Sequence, residues 1–522
     1  MRSLLSPTYH FYIYLFALTL LVIGMPVSKF LMSLSQIILV CNWVLEGNLK
    51  NKLIDFWKNK PALVLSSLML LHFIGLIYSS EFDYAFSDIR IKAPLLLMPL
   101  IISTSKPLSP KLFTAILQLF VAAIIFGTIV STLILTDVIH RHIVDVRNIS
   151  IFISHIRFAL LICVAIYACG YFIYNSLKVS HKLIWGGIIS WLVVFLILME
   201  SITELSVLIV TIFILMVYAI ITSKNKIIKW GSLISMLISI VVISFWIKTV
   251  ASENVTTEII DLNKLDTYTS QGNLYEYDLT GKQTENGHYV WMYYCTKELE
   301  PLWNQRSRIN FNGKDLKGNE IRFTLMRYLS SKGLRKDADG LKSLTNDEVS
   351  AIERGVVNVN FQNVLSLKNR LHEIKWELNL YRSTGDPNGH SLTQRFEYWK
   401  TAIAIIKENL LFGVGTGDVE QTFNEEYVKT NSPLQTEWRL RAHNQYLSIA
   451  VAFGIIGFIW FLLTLIYPVI KQKMLFDYLY ITFFIITMIS FFTEDTLETQ
   501  AGVTFYAFFN SFYLFGREKI EN

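Results

Sequence analysis

About nine apolar stretches fill residues 1–250, a polar segment of about 190 residues follows as far as Arg441, and apolar sequence then resumes from His443. A run such as Leu447 to Pro468 is long enough, at about 1.5 Å per residue, to cross a hydrocarbon layer of about 30 Å. The runs are continuous rather than alternating, and in lipid only helices or closed barrels satisfy their own backbone, so these are helices. The chain therefore reads as an α-helical polytopic membrane protein with one large water-exposed insert. Charge supports this, since Asp, Glu, Lys and Arg make up 17% of the residues against the roughly 25% of soluble domains.

The spans fall near residues 9–25, 28–46, 61–79, 93–104, 112–135, 156–176, 183–198, 205–222, 231–250, 443–468, 474–492 and 500–515, which gives about twelve transmembrane helices. Residues 1–250 thus hold helices 1–9, residues 251–442 a loop domain, and residues 443–522 helices 10–12 with a tail. Every second loop is basic: Lys50, Lys52, Lys58 and Lys60, then Lys106 and Lys111, Lys178 and Lys182, Lys224 to Lys229, Lys471 and Lys473, and finally Arg517 and Lys519. The alternate loops hold Glu81, Asp83, Asp88, Glu200, Glu204, Glu494 and Asp495. Basic short loops stay on the cytoplasmic side, so both termini are expected there and the insert outside.

The same asymmetry explains a net charge of +6. Residues 251–440 carry 23 Lys and Arg against 26 Asp and Glu, so the positive excess lies in the inner loops, where it sets topology and gives no support to nucleic-acid binding. The apolar run near Tyr9 is followed by no small-residue cleavage site and is expected to be a retained first helix. Cys41, Cys163 and Cys169 fall in spans, Cys295 is alone in the insert, and no zinc spacing is present.

Three outward segments gather polar groups at the membrane edge. The first is His140, Arg141, His142, Asp145 and Arg147, leading to His155 and Arg157 at the mouth of the sixth span. An arginine there either snorkels to the interface or contacts an anion. The second is the short turn from Glu200 to Glu204, whose carboxylates are either hydrated or engaged with an arginine or a proton. The third is the end of the insert, where Arg395 and Trp399 share one helical face. Gly413 to Asp418 then form a glycine turn, which reads as a helix stop because it follows a helix and lacks the strand that a phosphate loop requires. Arg439, Arg441, His443 and Asn444 stand directly against the tenth span, and an imidazole is able to take a proton near neutral pH.

In this order, Arg395, Trp399, Gly413-Val414-Gly415-Thr416-Gly417-Asp418, His443-Asn444-Gln445-Tyr446-Leu447, Gly454 and Gly457 resemble the O-antigen ligase and polymerase superfamily. Ser154 to Leu160, Glu285 to Tyr289 and Thr324 to Asp337 are similar to its Bacteroidetes-type members. The resemblance implies a GT-C-like glycosyltransferase of the bacterial inner membrane, working on the periplasmic side without cofactor or metal. Its donor would be a glycan on undecaprenyl diphosphate, and its acceptor, for a ligase, a sugar hydroxyl of lipid A core. Arg395 matches the arginine of the family's large loop and His443 its loop-end histidine, which implies diphosphate binding for the first and base catalysis or diphosphate binding for the second. An inverting attack fits this chemistry, since a guanidinium holds a diphosphate through paired hydrogen bonds without losing its charge.

The family's Ser-Arg pair is missing; Ser201 to Ser206 stand at that place. Arg157 is expected to supply the second positive contact, and Glu204 to orient a cation or act as base. His155, Arg441, Asn444, Trp399 and Arg141 complete the expected substrate contacts. Aromatic residues of the insert, Trp291, Tyr293, Tyr294, Trp303 and Tyr328, serve either a small core of mixed α/β or mainly α structure or the faces of sugars, and Thr345 to Asn369 reads as a helix. A polymerase or a protein glycan-transferase would use the same donor. A transporter would have a similar number of spans but should show paired broken helices, and only Ala93 to Ser103, with Pro94 and Pro99, has that character.

Overall fold

The computed structural model describes residues 5–141, 146–252, 258–261, 265–278, 283–361 and 367–518; His142, Asp145 and Lys519 of the segments above lie outside them. Helix dominates. Among the described residues, seven helices are long and apolar enough to span a membrane: Pro7–Val27, Lys60–Tyr78, Pro110–Leu135, His155–Asn175, Val179–Leu198, Ile202–Thr222 and Gln445–Lys471. Lys29–Leu45 and Leu49–Lys58, bent by 111°, make an eighth if counted as one span. The remaining expected spans are helical too, at Pro94–Thr104, Lys226–Ser252, Tyr478–Thr493 and Gln500–Phe515. Pro94–Thr104 has 11 residues, about 16 Å of rise, and so covers roughly half the depth of a bilayer.

The chain divides into two units. One comprises residues 1–140, 149–229 and 387–522, and the other 141–148 and 230–386. Of the seven candidate spans, His155–Asn175 is the most enclosed, packed against Val179–Leu198 and Tyr478–Thr493. Leu108 donates its amide to Gly516 O at 2.9 Å and Arg517 pairs with Asp477, so basic loops gather at one end of these helices.

Gln445–Lys471 is broken at Gly454, whose φ of 61° and ψ of −165° are not helical. A break exposes carbonyls and amides that lipid does not solvate. Here the glycine turn supplies the partners: Val414 N donates to Val451 O at 3.0 Å and Gly415 N to Ala452 O at 2.9 Å, while Ile455 N donates to Leu410 O at 2.8 Å. The same turn seats on Lys60–Gly75, where Thr416 Oγ1 donates to His72 O at 2.7 Å, and the Asp418 carboxylate accepts the Ser80 and Glu81 amides at 2.8 Å. The turn amides are thus engaged by protein. A Cβ on Gly413, at φ 68°, would lie 2.5 Å from Ala452 C and Phe453 N. Gly413→Ala is therefore expected to cost about 3 kcal/mol or more of stability, seen as a lower melting temperature in detergent; an unchanged melting temperature would contradict this splice.

The second unit is mainly helical around Val290, Leu299, Trp303, Phe311, Leu325, Tyr328, Leu329 and Ile352. Its one sheet is the hairpin Thr284–Glu285 with His288–Tyr289 among the described residues. Trp303 and Tyr328 are fully buried, so these two aromatics build core. Of the expected helix from Thr345 to Asn369, residues 362–366 lie outside the described residues, and a separate helix stands on either side of them. Thr345 caps Asn346–Glu353 with a capping box, and the helix closes when Val356 N donates to Ala351 O at 3.0 Å and Gly355 N to Ile352 O at 2.8 Å, before Leu367–Thr384 begins.

Candidate functional site

Three elements of the first unit each bring one side chain to a shared point: Arg395 on helix Ser391–Glu408, His443 in the turn before Gln445–Lys471, and Glu494 in the turn after Tyr478–Thr493. Arg395 Nη2 donates to Glu494 Oε1 at 2.6 Å, and His443 Nδ1 lies 3.4 Å from Glu494 Oε2. The Glu494 side chain is 7% exposed, that of Arg395 24% and that of His443 34%, so the carboxylate lies behind two partly exposed partners. Burial works against ionisation of Glu494, but the His443 hydrogen bond and the Arg395 charge outweigh it and hold the carboxyl below its usual range.

His443 has a φ of 46°, a left-handed backbone that persists only where its surroundings over-determine it. They do so on both sides. Trp399 Nε1 donates to Ala442 O at 3.0 Å, and Arg441 Nη1 donates to Tyr84 Oη at 2.8 Å and to Glu498 Oε2 at 3.0 Å. Asn444 caps the following helix by accepting Leu447 N at 3.1 Å, and donates to Phe492 O at 2.9 Å. Gln445 donates to Glu498 Oε1 at 3.2 Å and accepts Leu497 N at 2.7 Å. The Tyr398 ring lies 5.6 Å from the imidazole. Trp399, Arg441 and Asn444, expected as substrate contacts, thus have defined partners that fix the histidine turn.

Behind Arg441 is a buried ionic pack. Lys92 Nζ donates to both oxygens of Asp88 and to Glu498 Oε2, each at 2.8 Å, and His72 Nδ1 lies 3.3 Å from Asp88 Oδ2. Paired charges of this kind are strongly coupled, and removing one leaves its partner uncompensated. The void they line measures about 20 Å³, room for about one water. Burial opposes the ionisation of Glu498, yet Lys92 and Arg441 hold its carboxyl low. Asp495 is the opposite case: burial pushes its carboxyl up, and Oδ1 has no hydrogen-bond partner among the described residues.

Arg157 is 8% exposed. Its Nη2 donates to Asp495 O at 3.0 Å, Nε to Thr499 Oγ1 at 3.3 Å and Nη1 to Thr496 Oγ1 at 3.5 Å. These are neutral acceptors, so its charge acts on Glu494, Asp495 and Glu204 at longer range. Glu204 is 4% exposed and accepts a hydrogen bond from Ser201 Oγ. Both residues therefore stand inside the protein beside the exposed pair instead of on its open face. His155 opens the same helix as Arg157 and is half-buried, and Arg141 is exposed and belongs to the second unit. Arg157→Ala should loosen the 494–499 turn and reduce any activity of the site about tenfold or more, with a lower melting temperature; wild-type values of both would show that the turn holds without it.

Glu494, Glu498, Lys92 and Asp88 were not expected at the site. Their signal in the sequence was weak: carboxylates and a lysine in short segments beside apolar runs, where ionised groups are expensive and are kept for a purpose.

Residues 349–462 match the profile of the family described as O-antigen ligase. The matched segment includes Arg395, Trp399, the glycine turn, Arg441, His443 and Asn444. An uncharacterised protein of Haemophilus influenzae is 31% identical over 104 residues, which are 20% of this chain and 26% of that protein. The chain thus spans about a quarter of the length of this curated relative.

Proposed function

We infer that this chain, which carries the O-antigen ligase family domain over residues 349–462, is a membrane glycosyltransferase that moves a glycan from an undecaprenyl diphosphate carrier to a sugar hydroxyl of lipid A core. The family match itself supports an O-antigen ligase or polymerase-like membrane function. The observation that carries the finer reading is the placing of Arg395 and His443 on the two oxygens of one buried carboxylate.

The acceptor oxygen attacks the anomeric carbon as the bond from that carbon to the diphosphate oxygen breaks. The electron pair leaves on the diphosphate, and Arg395 offsets the charge with the N–H groups it does not give to Glu494. The hydroxyl proton passes to His443, and attack from the opposite face inverts the centre. Arg157 contributes as a buried positive charge that holds the turn carrying Glu494, and Glu204 as a buried carboxyl group near it. In this reading all twelve helices cross or enter the inner membrane, both termini are cytoplasmic, and residues 251–442 face the periplasm, where they meet the acceptor. The mechanism needs neither nucleotide nor metal.

The test is the lipopolysaccharide of a deletion strain. Long glycans left on the carrier with bare core would support the ligase reading. Single-repeat caps on the core would replace it with a polymerase, and unchanged glycolipids with a lost glycoprotein would replace it with protein glycosylation.

A further inference from the structure

We propose that Glu494 is a positioning residue that couples donor binding to the base: it holds the His443 ring with Nδ1 inward and Nε2 toward the acceptor, and it keeps Arg395 occupied until a diphosphate takes that guanidinium. This rests on the function proposed above, and it concerns a residue outside the matched family segment.

The geometry has three parts. First, each carboxylate oxygen serves a different partner, Oε1 for Arg395 at 2.6 Å and Oε2 for His443 at 3.4 Å, so a gain at one contact changes the other. Second, the carboxylate is far more buried than either partner, so an anion arriving from outside reaches Arg395 without displacing the glutamate from its place. Third, the backbone that carries Glu494 is fixed. Glu494 N donates to Ser490 O at 2.9 Å, Ser490 and Thr496 share a hydroxyl contact at 2.7 Å, and Arg157 holds Asp495 O at 3.0 Å. A carboxylate on so firm a base can set the tautomer of an imidazole, since a ring nitrogen that donates inward leaves the other nitrogen as the acceptor.

The consequence is an ordered site. Without donor, Glu494 divides its negative charge between a guanidinium and an imidazole. When a diphosphate pairs with Arg395, that guanidinium is shared with a stronger anion, and more of the carboxylate is available to stabilise the imidazolium that forms as His443 takes the acceptor proton. Deprotonation of the acceptor is thereby favoured when a leaving group is in place. No atom is added or lost by Glu494, and the proton stays on His443 until it is released to water.

The experiment compares full-length wild type, Glu494→Gln and Glu494→Asp in lipid nanodiscs. It measures turnover of polyprenyl-diphosphate-linked glycan and, separately, inhibition by inorganic pyrophosphate. Glu494→Gln is isosteric and loses only the charge. Its turnover should fall about 100-fold or more, while pyrophosphate should inhibit about three- to tenfold more strongly because Arg395 is released. Glu494→Asp should recover part of the turnover. A merely structural role would weaken turnover and pyrophosphate binding together, and that result, or wild-type values for both, would overturn the proposal. Arg395→Ala and His443→Ala serve as separate controls. If both are fully active, the proposed function fails; if both are impaired and Glu494→Gln matches wild type, only the role of Glu494 fails.

Discussion

His443→Ala lowers the rate of glycan transfer by about 10²- to 10⁴-fold, the range that a positioned general base supplies, while folded protein is recovered in normal amount. The size of the effect follows from how the residue is held. Its left-handed backbone is maintained by Trp399, Arg441, Asn444 and Gln445, which bond to the backbone or to Glu498 and do not depend on the imidazole. Removing the ring therefore deletes a proton acceptor without dissolving the turn, and Ala at this φ costs little more strain than His. Inhibition by pyrophosphate should change less than about threefold, since the diphosphate contact is assigned to Arg395. Transfer at more than a tenth of the wild-type rate would remove His443 from the chemistry.

The second large effect is that of Arg395→Ala, about 10²- to 10³-fold in turnover, together with weaker inhibition by pyrophosphate. The side chain is 24% exposed and bonds only to Glu494 among the described residues, which leaves its other N–H groups for a ligand. Arg395→Lys keeps the charge but not the planar fork, so it should restore affinity more than turnover. Because alanine also leaves Glu494 without its guanidinium partner, the variant must be compared by melting temperature as well. A loss of turnover with unaltered pyrophosphate inhibition would place the diphosphate elsewhere.

Much of the helical architecture was legible because continuous apolar runs have one solution in lipid, and seven of the expected spans, or eight with the bent pair, are helices long and apolar enough to cross a membrane among the described residues. Hydrophobic windows do not measure depth, however. Pro94–Thr104 is as apolar as its neighbours yet has 11 residues, and the break at Gly454 is invisible in a run that remains apolar through it. That break is tolerated through Leu410, Val414 and Gly415, about 40 residues earlier, a pairing no local pattern encodes. At the site, sidedness and motif order were enough to suggest that Arg395 and His443 meet. The carboxylate that joins them was not identified, because Glu494 is 51 residues beyond His443 and 99 beyond Arg395 and served in the sequence only as a marker of an outer loop. The partners of Arg157 were not foreseen for the same reason. Its partners at Asp495, Thr496 and Thr499 are more than 330 residues away, and a buried arginine bonded to neutral oxygens has no sequence pattern that separates it from an exposed anion contact.

The most direct measurement is a structure of the full chain in nanodiscs with a polyprenyl diphosphate bound. The account predicts diphosphate oxygens about 3 Å from the Arg395 guanidinium, with the His443 ring facing the space where a sugar joined to that phosphate would be. A diphosphate held away from Arg395, with the Arg395, His443 and Glu494 contacts unchanged, would contradict it.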